Sequence, residues 1–84
     1  MKIGLEKGKC YEINDWVFQV DGIDSSTVWG FGAKSDRIIG FTFFIIKDMN
    51  VTREVHINEY IGYIDLARQN MAFEYRQRLD QYEE

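Results

Sequence analysis

The sequence predicts an α+β fold, with a small five-stranded antiparallel β-barrel or coiled sheet followed by one long C-terminal α-helix. Two observations predict it. Up to residue 57, apolar side chains recur at every second position and turn signals come about every ten residues, as in short strands joined by hairpins. From residue 58 the apolar spacing changes to three and four residues, which is the spacing of an amphipathic helix.

The β-sheet body is predicted over residues 9–57, after a lead-in of residues 1–8. Turn signals such as Asn14-Asp15 and Asp21-Gly22 separate its strands. The connections are short enough for hairpins, which argues against βαβ units. In strand count and hairpin length the body is similar to SH3-like barrels. The predicted strands are residues 9–13, 16–21, 27–32, 38–46 and 51–57.

Three large aromatic rings, Trp16, Trp29 and Phe31, alternate onto strand faces that we expect to be core. We therefore expect them inside the domain, and not on a stacking platform for single-stranded nucleic acid or peptides. Gly30 and Gly32 share the other face of their strand. Glycines on one face let another backbone or a large ring come close, or mark sharp coiling of the sheet.

Residues 38–46 are apolar on both faces of an extended chain. Such a strand is expected in the middle of a sheet that is covered on both sides, or in a closed barrel with an element packed outside. In residues 51–57, by contrast, Arg53 interrupts the apolar set. A charge at this place indicates an edge strand, because it discourages pairing with other chains.

One long helix is predicted over residues 58–83. Asn58 can cap it, and Glu59 suits its first turn. Gly62 costs about 1 kcal/mol inside a helix, so a later start with Asp65 as the cap is the alternative. At 1.5 Å per residue, residues 59–83 alone would be about 37 Å long, which is long for so small a domain. Its apolar stripe is Tyr60, Ile64, Ala67, Met71, Tyr75, Leu79 and Tyr82.

Length and composition indicate one globular domain over residues 1–84, with 45% hydrophobic residues. The net charge of −4 argues against nucleic acid, whose partners usually carry a basic face. The longest apolar run is too short to cross a membrane as a helix, which needs about 20 residues. Cys10 is the one cysteine and no signal peptide is evident. We therefore predict a cytoplasmic protein.

No catalytic or ligand-binding motif is found. Residues 30–35 lack the glycine and lysine spacing of a phosphate-binding loop, and residues 21–26 lack that of a calcium-binding loop. His56, the one histidine, has no zinc-ligand partners nearby and is expected at the surface or against the helix. Cys10 is expected to be a small buried hydrophobe. We predict that the protein is not an enzyme and that it uses no cofactor or metal.

A second apolar line on the helix contains Leu66 and Phe73, offset by about 100° from the first. One interpretation is that the helix buries a wide arc in its own domain. The other is that this line and the distal segment face a second protein, because contiguous apolar surface on a small domain usually marks a contact. The tyrosines and arginines of residues 75–78 are typical of an interface hot spot.

The sequence thus predicts a non-catalytic protein-binding module, an inhibitor or adaptor acting through its C-terminal helix and the adjacent acidic surface. In general type, such a short, acidic, proline-free domain resembles the small single-domain proteins that phages and other mobile elements encode to bind and block host proteins. The alternatives are a structural subunit of a homo-oligomeric assembly and a small barrel that binds nucleic acid or a ligand. The partner is another protein or a second copy of the chain. The predicted contact residues are Leu66, Phe73, Tyr75, Arg76 and Tyr82.

Overall fold

The computed structural model describes residues 4–35 and 38–82, with only the backbone described for residues 72–82. As predicted, five antiparallel strands form one sheet and one helix follows them. The elements are β1 (Cys10–Ile13), β2 (Trp16–Ile23), β3 (Thr27–Lys34), β4 (Ile38–Ile45), a 3-10 turn (Ile46–Asp48), β5 (Val51–Val55) and α1 (Ile57–Tyr82).

The strand order in the sheet is β4-β3-β2-β1-β5, and β4 and β5 are its two edges. The sheet does not close, so it is an open antiparallel sheet, and the predicted SH3-like barrel is not confirmed. The predicted edge position of β5 is confirmed. The predicted central position of residues 38–46 is wrong, because the chain leaves β4 and crosses to pair β5 with β1. One side of β4 therefore has no strand beside it among the described residues.

One face of the sheet, the inner face, holds a core of its own. Tyr11 and Phe18 are completely buried there, and the ring of Phe18 meets the ring of Phe44 edge to face, with centroids 5.3 Å apart. Phe18 lies on β2 and Phe44 on β4, two strands away, so the sheet curls to bring them together. The inner core consists of Tyr11, Ile13, Phe18, Val20, Val28 and Phe44.

The two glycines of β3 make this curl possible. A Cβ on Gly32 would overlap the Phe18 Cβ and the Val17 carbonyl oxygen, and one on Gly30 would overlap the Gln19 carbonyl oxygen. The prediction that glycines on this face let another backbone or a large ring come close is confirmed. Sharp coiling of β3 against β2 is possible because Gly30 and Gly32 have no side chains.

The other face, the outer face, is crossed by α1. Every strand contributes at least one residue to the cluster beneath the helix, with Phe31 as a second one from β3, and α1 contributes Tyr60, Ile64 and Ala67. The Tyr60 hydroxyl also donates a hydrogen bond of 2.9 Å to the Phe31 carbonyl oxygen. Because α1 starts directly after β5, it runs from the β5 edge towards the β4 edge. The strand residues beneath it are Val55, Cys10, Val17, Ala33 and Ile39.

The helix begins at Ile57, near the predicted Asn58, and the alternative start at Asp65 is wrong. His56 Nδ1 accepts a hydrogen bond of 3.1 Å from the backbone N–H of Asn58, so His56 caps the first turn in place of Asn58. Gly62 lies inside the helix. The tertiary contacts of the first four turns outweigh its low helix propensity.

The helix is longer than the sheet is wide. Met71 continues the stripe of Tyr60, Ile64 and Ala67 but is 39% exposed, so the cover of the sheet ends there. From Ile57 to Met71 the axis rises about 21 Å, close to the roughly 19 Å spanned by five strands. Residues 72–82 continue for about 16 Å beyond. Within residues 4–35 and 38–82, no helix combines the length and the apolar character needed to cross a bilayer.

Candidate protein-binding surface

The half of the outer face that α1 leaves open carries large apolar side chains. Phe41 is 74% exposed and Phe43 is 64% exposed. Strand pairing sets Phe41 beside Phe31, and Phe43 beside Trp29. We call Trp29, Phe31, Phe41, Phe43 and Ile45 the aromatic face.

Two contacts hold this surface in one arrangement. The rings of Phe31 and Phe41 meet edge to face, with centroids 5.3 Å apart. The indole of Trp29 lies against Gly22, where it occupies the place a Cβ would take. Because these contacts hold the rings in place before a partner binds, less conformational entropy of the side chains is lost on association.

The core prediction for Trp29 is wrong, since its side chain is 38% exposed. Alternation assigned its strand face correctly, but α1 covers only the other half of that face. Trp16 and Phe31 are half-buried against the inner and outer clusters respectively, which agrees with the predicted core positions in part.

A polar rim borders the aromatic face. A pocket of about 220 Å³ lies beside Phe31 and Phe41, and Lys7, Gln19 and Asp21 contribute to its wall. Gln19 Nε2 donates a hydrogen bond of 2.9 Å to the Gly8 carbonyl oxygen, which fixes one side of this wall. An apolar centre with a polar rim is the usual composition of a protein-protein interface.

The two edges of the sheet differ in kind. On β5, Arg53 forms a bidentate pair with Glu59 at 2.8 and 3.1 Å and approaches Glu12 at 3.5 Å. The hydrogen bonds from Arg53 lower the pKa of Glu59. Residues 38–45 of β4 include no charged side chain. Charge protects an edge from pairing, so β4 is the open edge of this sheet.

The helix residues predicted to make a contact divide into two groups. Leu66 is 46% exposed and lies away from the buried stripe of α1. Phe73, Tyr75, Arg76 and Tyr82 lie on the segment 72–82, and their side chains are outside the described residues. A contact through this part of the helix stays a prediction.

A second depression, of about 760 Å³, lies at one end of the inner face. Its lining is mainly apolar, including Leu5, Ile23 and Met49, and Lys47 contributes a charge. Ligand sites usually combine an apolar wall with several convergent polar groups. The polar side chains here belong to Ser25, Ser26, Lys47 and Asn50.

Asp24, in the segment compared above with a calcium-binding loop, and the thiol of Cys10 both have local structural roles. The Asp24 carboxylate accepts hydrogen bonds of 2.8 Å from the backbone N–H groups of Ser26 and Thr27, which lower its pKa. Cys10 is 2% exposed, and burial, with a smaller effect of Glu54, raises the pKa of its thiol to about 11. Across residues 4–35 and 38–71, no three of the His, Cys, Asp and Glu side chains group closely enough to hold a metal ion.

Comparison with protein-family models, curated proteins and solved structures finds no match for this chain. The aromatic face and the β4 edge are the candidate binding surface of this chain. Sequence reasoning missed this surface, because an apolar strand looks the same whether other strands of its own sheet or another molecule cover it.

Proposed function

We propose that this chain is a non-catalytic protein-binding module whose main contact surface is the aromatic face together with the β4 edge. One observation carries the proposal: Phe41 and Phe43, exposed by 74% and 64%, stand side by side on an edge strand whose outer side has no strand beside it among the described residues. Burying a phenylalanine side chain contributes about 1.5–3 kcal/mol, so leaving two in water forgoes considerable stabilisation. A contiguous exposed apolar patch on a small domain usually marks a binding surface.

Strand addition is the binding mode that this geometry favours. The free N–H and C=O groups of β4 can pair with an incoming strand, and the aromatic face can hold its side chains. The role as an inhibitor or adaptor, and the contribution of the C-terminal helix through Leu66, remain part of the proposal. Leu66 supports it by being 46% exposed.

The test is capture of partners from a lysate of the source cells with tagged wild-type chain and a double variant, Phe41→Ser with Phe43→Ser. We expect the double variant to lose at least about 3 kcal/mol of binding, more than a hundredfold in Kd. Ile61→Ser is the matched control, because Ile61 is 49% exposed on the helix and outside the aromatic face. Circular dichroism confirms that each variant is folded.

A further variant, Leu66→Ser, separates the two surfaces. If the sheet carries the contact, Leu66→Ser reduces capture less than the double variant does. If Leu66→Ser abolishes capture while the double variant retains it, the contact lies on the helix and the sheet proposal is wrong. Equal capture by wild type and double variant would also contradict it.

A further inference from the structure

We infer that the partner of β4 is a second copy of this chain, paired antiparallel and edge to edge about a two-fold axis at Thr42. This inference rests on the proposed function, because it assigns a partner to the same surface. In an isologous two-fold interface, one patch must be complementary to itself. The sequence of β4 meets that condition.

Residues 38–46 read almost the same in both directions from Thr42. With the axis at Thr42, each isoleucine of one copy faces an isoleucine of the other, and Phe41 faces Phe43. The one unlike pair is Gly40 with Phe44, where glycine leaves room beside the larger ring. Within β4 the matched pairs are Ile39 with Ile45, Phe41 with Phe43, and Thr42 with itself, and Ile38 lies opposite Ile46, the first residue of the 3-10 turn.

The register is restricted by the faces of the sheet. A two-fold axis perpendicular to the sheet turns the same face of both copies to the same side. Directly paired residues must then lie on the same face, so a shift of the pairing register by one residue is excluded. An axis at Phe43 would set Lys47 opposite Ile39 and bring a charge into the apolar seam. An axis at Phe41 would leave Ile45 and Ile46 opposite residues that precede β4. The axis at Thr42 keeps every apolar residue of the strand in the seam.

This pairing joins the two aromatic faces into one surface. Phe41 and Phe43 of one copy lie beside Phe43 and Phe41 of the other, as cross-strand neighbours at about 5 Å between Cα atoms. Aromatic cross-strand pairs are among the stabilising ones in sheets. Each copy thereby contacts, at the shared edge, the Phe41 and Phe43 side chains of the other.

The distal part of α1 reaches the second copy in this pair. The helix packs against Ile39 of β4, and Met71 is 39% exposed where the cover of the sheet ends. Because Ile39 lies opposite Ile45 of the second copy, residues 72–82 extend over the second copy's sheet at its Ile45 end. Ile45 is 42% exposed in the single chain.

The assembly stops at two copies. Among the described strands, β4 alone offers an open edge, since Arg53 with its partners Glu59 and Glu12 protects β5. An interface that uses one edge per copy closes on itself and does not grow into a fibre. The product is one continuous sheet of ten strands, twice the five of the single chain.

The test is disulfide cross-linking of Thr42→Cys under mild oxidation, with Thr52→Cys on the β5 edge as the matched control. Paired Cα atoms in an antiparallel ladder lie about 4.5–5.5 Å apart, within the range a disulfide spans. We expect Thr42→Cys to form a covalent dimer roughly tenfold faster than Thr52→Cys. Buried Cys10 stays in both variants, and wild type reports any cross-linking through it.

Hydrogen exchange on the wild-type chain gives a second measurement that needs no variant. We expect the amides of β4 to gain protection as the protein concentration rises, and those of β5 to remain unchanged. Equal cross-linking rates for the two variants, with β4 exchange independent of concentration, would overturn the self-pairing. If lysate capture nevertheless depends on Phe41 and Phe43, the self-pairing alone is wrong and the proposed function stands.

Discussion

Gly32→Ala is expected to lower the free energy of unfolding by about 3 kcal/mol or more. The added Cβ would overlap the Phe18 Cβ and the Val17 carbonyl oxygen, and backbone cannot move aside without opening the β2–β3 ladder. A domain of this size has about 5–15 kcal/mol in total, so the loss is a large fraction. Urea unfolding followed by tryptophan fluorescence measures it.

Gly62→Ala is the matched control for this prediction. No atom beyond the neighbouring residues and backbone of α1 lies within 4 Å of the place its Cβ would take, and Gly62 is inside α1. Alanine there should raise stability by about 0.5–1 kcal/mol, because glycine loses more conformational entropy in a helix. If Gly32→Ala left stability within about 0.5 kcal/mol of wild type, the account of the coiling of the sheet would fail.

Phe18→Ala is expected to destabilise the chain by about 3–5 kcal/mol. Phe18 is completely buried in the inner core and meets Phe44 edge to face. Removing the ring leaves a cavity between β2 and β4 that the glycines of β3 cannot fill. Thermal and urea unfolding of the variant, at dilutions where the chain does not associate, give the free-energy difference.

Phe41→Ala supplies the comparison for Phe18→Ala, since the chemistry is the same and the burial is opposite. Phe41 is 74% exposed and contacts Phe31, so its loss should cost about 1 kcal/mol in the single chain. Similar costs for the two substitutions would mean that the inner face is not a core of its own.

The secondary structure and the edge position of β5 were predictable because they depend on local patterns. The change of spacing near residue 58 marks the start of α1, and Arg53 marks an edge. The glycines of β3 indicated the close approach of β2. Each of these signals is contained in a few neighbouring residues, so no knowledge of the tertiary arrangement was needed.

The position of β4 and the exposure of Trp29 were not predictable in the same way. Apolar residues on both faces indicate that a strand is covered, but not by which molecule. Trp29 faces the same side as α1, and only the path of the helix decides that it stays 38% exposed. The near-symmetry of residues 38–46 about Thr42 was the signal in the sequence that could have pointed to a second copy.

The predicted contact residues illustrate the same limit of local patterns. The apolar stripe of α1 gave Tyr60, Ile64 and Ala67 as buried, as the structure has them. Leu66 is exposed, but its neighbourhood in an assembly depends on where the helix passes the edge of the sheet. The distal residues were predicted from helical spacing and composition, and contact through them stays a prediction.

Sedimentation of the wild-type chain beside the Phe41→Ser, Phe43→Ser double variant, over a wide concentration range, tests the central claim most directly. The wild-type mass should rise from that of the 10.0 kDa chain to twice that value, while the double variant should keep the mass of a single chain. A wild-type chain that stays at the single mass throughout, or a double variant that doubles its mass as the wild type does, would contradict the pairing of two copies through β4.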